Sequence, residues 1–397
     1  MATGIESPNF KKYGVPIYGA SWIPSSAIKS VATTKEDADN RDGEDESPTD
    51  GPSPSSISSE GYLIFSGGGG EGRSGIPNAL LLTHFDSAAN SLSDQPIVKL
   101  GTGTDLPYRM AVHPGGEGAI CSFPESCRWF DWDALTSDGD HKLGVKASDK
   151  ILSQLENVGQ QLAFAFSSDG SVLAVGGEDG KLRVFSWPSM ELKLDEAKAH
   201  ASIKDLHFSP DGKFLVSVGS GGPGRVWDVE SSTPVAALSK ENSEMFCFCR
   251  FSQSSDNKAV LYISAMQDRG GSIVKWDTSS WKRLSSKQVV RDPISSFTVS
   301  PDGKLLAIGT IVGDVVVIDS ASLRLHSMVK KAHLGIVTAL MFSNDSRALV
   351  SASMDSSTRV TIIKEKKENG MNWWIIILMV LLAVAMYYYA KREGFFP

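Results

Sequence analysis

Short runs of alternating apolar and polar residues, separated by turns, dominate the middle of the chain. Residues 163–166 (Ala-Phe-Ala-Phe) lead into Ser167-Ser168-Asp169-Gly170, and a second apolar run follows at residues 172–175. Alternation with a period of two is typical of half-buried strands, and Ser, Asp and Gly are turn residues. Copies of this unit recur at residues 206–219, 297–309 and 340–353. The pattern predicts repeated β-hairpins rather than helices.

The spacing of the copies indicates the architecture. Asp169 and Asp211 stand 42 positions apart, within the WD-repeat period of roughly 40–45 residues. Most copies continue into a third strand that ends in a bulky residue and Asp, as in Trp227-Asp228, Trp276-Asp277 and Ile318-Asp319. Weaker copies at residues 110–132 and 246–276, and a degenerate first copy at residues 62–85, bring the number to seven. We therefore predict an all-β fold, a seven-bladed WD-repeat β-propeller over residues 61–363.

A ring of blades must be closed, and the N-terminal segment, residues 1–28, contains a strand-like stretch at 15–22. We expect this stretch to pair beside residues 358–363 of the last blade. His200 and His333 each follow Lys-Ala before a blade, and we expect both to be structural. Cys247 and Cys249 alternate on one strand face, where a core role is expected.

Residues 29–60 interrupt the repeat with a different composition. They are rich in Ser, Pro, Asp and Glu, with eight acidic residues between Glu36 and Asp50. Such a segment buries too little apolar surface to order itself. We predict a disordered, solvated insertion, with phosphorylation or partner capture as the alternative.

The C-terminal end carries the longest apolar stretch. Residues 371–390 contain no charge, and twenty helical residues span a bilayer core of about 30 Å. Trp373-Trp374 and Tyr387-Tyr388-Tyr389 resemble the aromatic belts at membrane interfaces. We predict a transmembrane helix after a linker at 364–370, with a lumenal tail at 391–397. Because residues 1–12 contain no signal-peptide core, the propeller is expected in the cytosol.

Composition excludes several function classes. The 397 residues include 39 basic and 46 acidic ones, a net charge of −7, so no nucleic-acid partner is expected. The four cysteines show no CxxC spacing, which favours free thiols in a reducing compartment. No nucleophile elbow, HExxH motif, P-loop or carboxylate pair is visible, so an enzyme such as a propeller hydrolase has almost no support.

Blade one departs from the repeat at a glycine-rich stretch between two apolar runs. Six glycines lie between positions 67 and 75, and Ile76-Pro77-Asn78 follows them. The ordinary interpretation is a flexible loop. The alternative is a loop whose carbonyl groups turn onto a cation and whose tip presents Ile76.

A membrane-anchored WD-repeat propeller with Gly-Gly-Gly-Gly-x-x-x-Ser-Gly-Ile-x-Asn in its first blade resembles the SEC-twelve-like family, whose animal member is called prolactin regulatory element-binding protein. The acidic insertion and short lumenal tail resemble the plant branch. The resemblance implies an exchange factor for the Sar-type small GTPase at the endoplasmic-reticulum membrane, which starts COPII vesicle formation. It implies K⁺ as a cofactor held by the loop, with ligands not individually assignable. The implied ion-binding residues are Gly67, Gly68, Gly69, Gly70, Gly72, Ser74 and Gly75, and those acting on the GTPase are Ile76, Pro77 and Asn78.

Two functions remain open. The first is nucleotide exchange without covalent chemistry, in which Ile76 and Pro77 displace a switch segment of the GTPase. The second is that of the phosphate transporter traffic facilitator in the plant branch. Such a protein helps membrane cargo, for example transporters, to leave the endoplasmic reticulum and has no exchange activity.

Overall fold

A computed structural model describes residues 7–28, 60–70, 72, 74–137, 140–241, 243–253, 259–267, 270–364 and 373–392. The chain divides into two units, Met1–Ile363 and Lys364–Pro397. The first unit contains seven antiparallel sheets in its described part. This confirms the predicted seven-bladed propeller.

Blades one to four follow the chain order. Blade one contains β2 (Ile17–Trp22), β3 (Glu60–Gly67), β4 (Asn78–Asp86), β5 (Ser91–Leu92) and β6 (Val98–Gly103), of which β5 and β6 both pair with β4. Blade two contains β7 (Arg109–Val112), β8 (Gly118–Ser122), β9 (Cys127–Ser137) and β10 (Asp140–Ala147). Blade three contains β11 (Gln161–Phe166), β12 (Val172–Gly177), β13 (Leu182–Ser186) and β14 (Leu192–Glu196). Blade four contains β15 (Ser202–Phe208), β16 (Phe214–Ser220), β17 (Gly224–Asp228) and β18 (Thr233–Leu238).

Blades five to seven complete the ring. Blade five contains β19 (Met245–Gln253), β20 (Ala259–Gln267), β21 (Gly270–Asp277) and β22 (Arg283–Val290). Blade six contains β23 (Ile294–Val299), β24 (Leu305–Thr310), β25 (Val315–Asp319) and β26 (Leu325–Val329). Blade seven contains β27 (Val337–Phe342), β28 (Ala348–Ser353), β29 (Ser357–Ile362) and, from the start of the chain, β1 (Phe10–Lys12). A one-turn 3-10 helix, Ser153–Leu155, lies between blades two and three.

Burial within a blade follows the position of each strand. In blade three the first strand, β11, alternates buried and half-buried residues, and the second strand, β12, is buried throughout. The outermost strand, β14, is largely exposed. Apolar side chains from neighbouring blades pack between the sheets, as where Ala174 and Val184 of blade three share one buried cluster with Leu206 and Trp227 of blade four. The core is thus a series of layers between blades.

Ring closure differs from the expectation in one respect. Residues 15–22 were expected beside the last blade, but β1 supplies that strand, with Phe10 opposite Arg359 and Lys12 opposite Ser357. Strand β2 instead pairs with β3 as the first strand of blade one. The specific pairing predicted for residues 15–22 is therefore wrong, although the closing strand does come from the N-terminal segment. The physical reason is burial: the alternating pattern of β2 is that of the inner strands.

Both singled-out histidines are held inside the propeller. A His200 ring nitrogen lies 2.9 Å from Ser217 Oγ, which also accepts the indole N–H of Trp227 at 3.0 Å. The His333 ring bridges Ser357 Oγ at 2.6 Å and Ser351 Oγ at 2.8 Å. Burial lowers the pKa of each histidine to about 4. These contacts support the structural role predicted for both residues.

The four cysteines are buried, and each is a free thiol. Burial raises the pKa of the Cys127 thiol to about 12 and raises that of Cys247. Such groups are poor nucleophiles. The core role expected for Cys247 and Cys249 agrees with their positions.

The second unit contains one described helix, α1 (Trp373–Arg392). Over the helical residues that the structure describes, no helix is both long enough and apolar enough to cross a membrane. Most of the insertion at 29–60 lies outside the described residues, so its predicted disorder stays a prediction.

Candidate functional site

The connection between β3 and β4 is the main irregularity of blade one. It spans residues 68–77, whereas blade three joins its second and third strands with residues 178–181. We call residues 68–77 the blade-one loop, with Gly67 and Asn78 as its flanking strand residues. Glu71 and Arg73 lie outside the described residues.

The first glycines are required by close packing. A Cβ on Gly67 would lie 2.1 Å from the Pro16 carbonyl oxygen, and one on Gly68 would lie 2.2 Å from Asn78 Oδ1. A Cβ on Gly69 would lie 2.1 Å from Ser74 Oγ and 2.8 Å from Ile76 Cβ. These distances are too short for any side chain, so the glycines permit a tightly folded loop.

The later glycines are required by backbone conformation. Gly70, Gly72 and Gly75 have φ values of 81°, 60° and 70°, in the left-handed region that favours glycine. A Cβ on any of the three would meet open space. The loop therefore combines a packed first half with an open tip whose backbone conformation favours glycine.

Asn78 holds the loop together from its C-terminal end. Its side chain is 3% exposed, and its Oδ1 accepts the Gly70 N–H at 3.0 Å. Its Nδ2 lies 3.1 Å from the Gly70 oxygen, 3.2 Å from the Gly103 oxygen and 2.9 Å from the Thr104 oxygen. The hydrogen bond from Gly70 N–H fixes which amide atom faces which partner. Asn78 is thus the internal brace of the loop.

Two further contacts order the middle of the loop. Ser74 Oγ donates to the Gly69 carbonyl oxygen at 3.3 Å and accepts the Ile76 N–H at 3.2 Å. Gly68 N–H donates to the Pro16 carbonyl oxygen at 2.9 Å. The simple interpretation as an unstructured glycine loop does not fit this network.

The segment that supports Asn78 is itself ordered. Thr102 Oγ1 donates to the Asp105 carbonyl oxygen at 2.7 Å, and the Asp105 carboxylate pairs with Arg128. Gly103 has a φ of 72°, which turns the chain after β6. The support therefore extends from blade one to blade two.

Aromatic side chains lie close in sequence to the two segments that support the loop, Pro16 on one side and Gly103 with Thr104 on the other. The rings of Tyr18 and Tyr108 are 5.5 Å apart, and the Arg109 guanidinium lies 4.8 Å from the Tyr108 ring centre. Burial, followed by the proximity of Tyr108, raises the pKa of Tyr18. All three side chains are half-buried, so part of each is accessible to a partner.

Ile76 and Pro77 occupy different environments. Pro77 is exposed, as expected for a residue that meets a partner. Ile76 is half-buried and packs against the core cluster that contains Phe65 and Leu81. The expectation that the loop tip simply presents Ile76 to solvent therefore needs correction, because the side chain divides its surface between core and solvent.

Three backbone carbonyl oxygens of blade one meet at the Asn78 side chain. Carbonyl oxygens of Gly70, Gly103 and Thr104 converge on one amide group, although Nδ2 has only two hydrogens to donate. Among the described residues, no group of three His, Cys, Asp or Glu side chains could hold a metal ion. Neutral carbonyl oxygens are the kind of ligand that K⁺ sites use, and each oxygen keeps a second lone pair besides the one that faces Asn78 Nδ2.

The structure brings the predicted site residues into one loop but divides their roles. Gly67–Gly69, Ser74 and Asn78 shape it, while Gly72, Gly75 and Pro77 form its exposed part. Sequence reasoning missed Pro16, Gly103 and Thr104, since their contribution is a backbone carbonyl oxygen. Gly103, the last residue of β6, is the sequence signal that points to this segment.

Comparisons with known proteins agree with this architecture. The WD domain, G-beta repeat model matches residues 157–186, 193–228 and 325–360. A relative named SEC12-like protein 2, from Arabidopsis thaliana, is 52% identical over 92% of this chain and 91% of its own. The chain belongs to the SEC12-like family. This membership confirms the predicted resemblance.

A more distant relative carries a biochemical name. Guanine nucleotide-exchange factor SEC12 from Rattus norvegicus is 25% identical, covering 77% of this chain and 87% of its own. At the level of the family, SEC12-like proteins therefore include an exchange factor. A solved structure, Chaetomium thermophilum Sqt1 bound to the N-terminus of ribosomal protein L10, matches with a TM-score of 0.62. It covers 89% of this chain and 98% of its own at 15% identity, which supports the propeller fold alone.

Proposed function

We propose that this SEC12-like protein is a guanine-nucleotide exchange factor for a Sar-type small GTPase, and that the blade-one loop is the element that acts on the GTPase. The observation that carries the proposal is the internal bracing of the loop by Asn78. A loop that displaces a segment of a partner must resist displacement itself. The braced glycines, with Pro77 exposed beside Ile76, meet that requirement.

Exchange needs no covalent chemistry. A GTPase holds its nucleotide through phosphate and Mg²⁺ contacts that also order its switch segments. A partner that binds the nucleotide-free arrangement more tightly weakens nucleotide affinity by the same factor. Pro77 and the solvent-facing part of Ile76 would contact a surface of the GTPase that becomes accessible only after a switch segment has moved.

The loop would hold K⁺ through the carbonyl oxygens of Gly70, Gly103 and Thr104, beside Asn78. When bound, the ion adds a positive charge that fixes these carbonyl groups. Replacement of K⁺ by Na⁺ is expected to slow nucleotide release and to lower the melting temperature of the protein slightly. Melting measured without any GTPase separates a structural effect of the ion from an effect on exchange.

The deciding experiment measures GDP release from the purified GTPase with Ile76→Ala. Loss of a buried anchor contact is worth about 2 kcal/mol or more, so release should slow by more than tenfold. Because Ile76 also packs against the core, we expect a stability loss of about 1–2 kcal/mol, below that of a fully buried isoleucine. Leu194→Ala in blade three is the matched control, since Leu194 is also half-buried against a core cluster. It should reduce stability similarly and leave release unchanged.

Failure of the wild-type protein to release nucleotide would contradict the proposal. With the loop intact, that outcome would favour the export helper for membrane cargo. If Leu194→Ala slowed GDP release as much as Ile76→Ala does, Ile76 would contribute to the stability of the fold and not to exchange itself.

We further propose that the protein is anchored in the endoplasmic-reticulum membrane by residues 371–390, with the propeller in the cytosol. The twenty uncharged residues of this stretch support the proposal. Protease added to intact microsomes should degrade the propeller, and the protein should resist carbonate extraction. Protection of the propeller would contradict both the topology and a cytosolic GTPase partner.

A further inference from the structure

A cavity of about 920 Å³ lies between blades five and six. It is lined by residues 287–292, which end β22 and begin the next connection, and by residues of blade six between Thr310 and Lys330, most of them in β25, β26 and the turn between these strands. Strands β22 and β26 are the outermost strands of their sheets. The cavity therefore opens at the circumference of the propeller. We call it the five/six groove.

The floor of the groove is apolar. Val316, Ile318 and Leu323 line it and are almost fully buried, while Met328 lines it and is 39% exposed. Val289 and Val290 contribute from blade five and pack on the same core cluster. An exposed methionine beside buried aliphatic residues forms an adaptable apolar surface.

The rim of the groove is mainly basic. Lys287, Arg291, Arg324 and Lys330 line it, against the two acidic residues Asp292 and Asp314. Within the described residues, none of the four cations forms an ion pair. Lys287 Nζ donates to the Leu323 carbonyl oxygen at 2.7 Å, which fixes the ammonium group beside the floor. A local excess of positive charge on a chain of net charge −7 favours an anionic partner.

The four cations of the rim outnumber its two carboxylates, Asp292 and Asp314. Asp314 Oδ1 accepts the Lys331 backbone N–H at 2.6 Å, so this carboxylate joins the turn before β25 to the residues that follow β26. Arg291, Arg324 and Lys330 are exposed and can reach a ligand. The shape, an apolar floor between charged walls, differs from a flat basic patch for nucleic acid.

We propose that the five/six groove binds an extended segment of a partner protein that carries both acidic and aliphatic side chains. In an extended chain successive side chains point to opposite sides. Such a segment can place aliphatic side chains on Met328 and Ile318 and direct carboxylates to Arg324 and Lys330. This binding function is separate from the blade-one loop and does not require nucleotide exchange.

The test uses the full-length protein in detergent micelles and a displayed library of random dodecapeptides as the probe. Peptides are selected on the wild type and counter-selected on the double variant Arg324→Glu/Lys330→Glu. The proposal expects enriched peptides with at least two acidic and two aliphatic residues. A synthetic fluorescein-labelled copy of an enriched peptide should bind the double variant at least tenfold more weakly. Its affinity for the wild type should fall with added salt, because the rim contacts are Coulombic.

Two further variants separate the groove from general charge effects. Lys193→Glu/Lys198→Glu makes the same charge change on two exposed lysines, one within β14 and one just after it. This variant should bind the peptide as the wild type does. Met328→Gln removes apolar surface from the floor without changing its charge and should weaken binding at least fivefold, so the proposal stays testable if the double variant fails to fold. GDP release by these variants should equal that of the wild type, which separates this proposal from the exchange proposal.

Three results would overturn the inference. The first is no peptide that distinguishes the wild type from the double variant. The second is enrichment of peptides without acidic residues. The third is loss of anionic vesicle binding, measured with phosphatidylserine vesicles, as the only effect of the double variant, which would assign the rim to a lipid surface.

Discussion

Blades one and three solve the same connection, between the second and third strands, in opposite ways. In blade three, Gly180 N–H donates to the Gly177 oxygen at 3.2 Å, and Lys181 N–H donates to Asp179 Oδ1 at 3.1 Å. In blade one, Asn78 reaches Gly103 and Thr104, which lie 25 and 26 positions along the chain. The side chain in the blade-three turn bonds to its own turn and to Arg183, although the backbone of the turn also meets Gln160 and His200. The Asn78 side chain in blade one instead reaches a distant segment of the chain.

The difference teaches how a propeller acquires a functional loop. A turn whose side-chain bonds stay within a few residues is specified locally, so it can repeat around the ring. A loop braced from a distance has a defined shape only after its neighbours have folded. That dependence gives the blade-one loop a rigidity that its glycine content alone would not provide.

Acidification should have the largest effect, and it should act on the buried histidines between the blades and not on the blade-one loop. The pKa values of His200 and His333 are about 4 in the folded protein against about 6.5 when unfolded. The unfolded chain therefore binds protons first, and stability is full above pH 6.5 and is lost as the pH falls toward 4. At pH 4.5 each histidine should remove on the order of 2 kcal/mol, observable as a lower melting temperature.

The described residues of the blade-one loop carry no titratable side chain. At pH 5.5, where the protein is still folded, hydrogen exchange of the Gly70 amide, corrected for intrinsic rate, should match that at pH 7. Loosening of the loop without a fall in melting temperature would break the comparison.

Asn78→Ala should have the next largest effect. It leaves the Gly70 N–H and three carbonyl oxygens without their partner, and an unmet buried hydrogen-bonding group costs about 1–3 kcal/mol. GDP release should also slow by more than tenfold if the loop acts on the GTPase. The control is Asp179→Ala in blade three, which removes the acceptor of the Lys181 N–H and the ion pair with Arg183. It should reduce stability by about 1–3 kcal/mol and leave release unchanged, as measured by chemical denaturation and by fluorescent-nucleotide release.

Gly69→Ala and Gly72→Ala sharpen the comparison inside the loop. A methyl group at Gly69 meets Ser74 and Ile76, whereas one at Gly72 meets open space. Gly69→Ala should displace Ile76 and slow GDP release severalfold. Gly72→Ala should add only local strain, of about 1–2 kcal/mol or less for a left-handed residue, and keep release near the wild-type rate. The same loss in both variants would show that flexibility, not packing, is what the loop needs.

Deletion of residues 35–58 should have the smallest effect. The segment connects β2 and β3, and loop-closure entropy changes by only about 0.6 kcal/mol per doubling of loop length. The free energy of unfolding of the deleted protein, obtained from thermal denaturation, should therefore lie within about 1 kcal/mol of that of the wild type. A large destabilisation would show that the insertion packs on the propeller.

Much of the fold was predictable because its signals are local. In blade three, Ser167 Oγ donates to Asp169 Oδ1 and accepts the Val172 N–H, and the same pattern recurs around Ser209, Ser300 and Ser343. Each turn is specified within six residues, so the repeats could be counted from the sequence. The outermost strands, such as the exposed β14, were harder to see because they lack an apolar face.

The tertiary structure alone decided which segments meet. Strand β1 has three residues, too few for a hydrophobic pattern, and it closes the ring only because blade seven leaves the edge of β29 for it. Likewise, Ile76 is half-buried and Asn78 is a brace because Phe65, Gly103 and Thr104 arrive from other strands. The sequence determined the repeat, the turns and the position of the unusual loop, since these depend on neighbouring residues. The shape of the loop depends on contacts between distant residues, which exist only once the blades have packed.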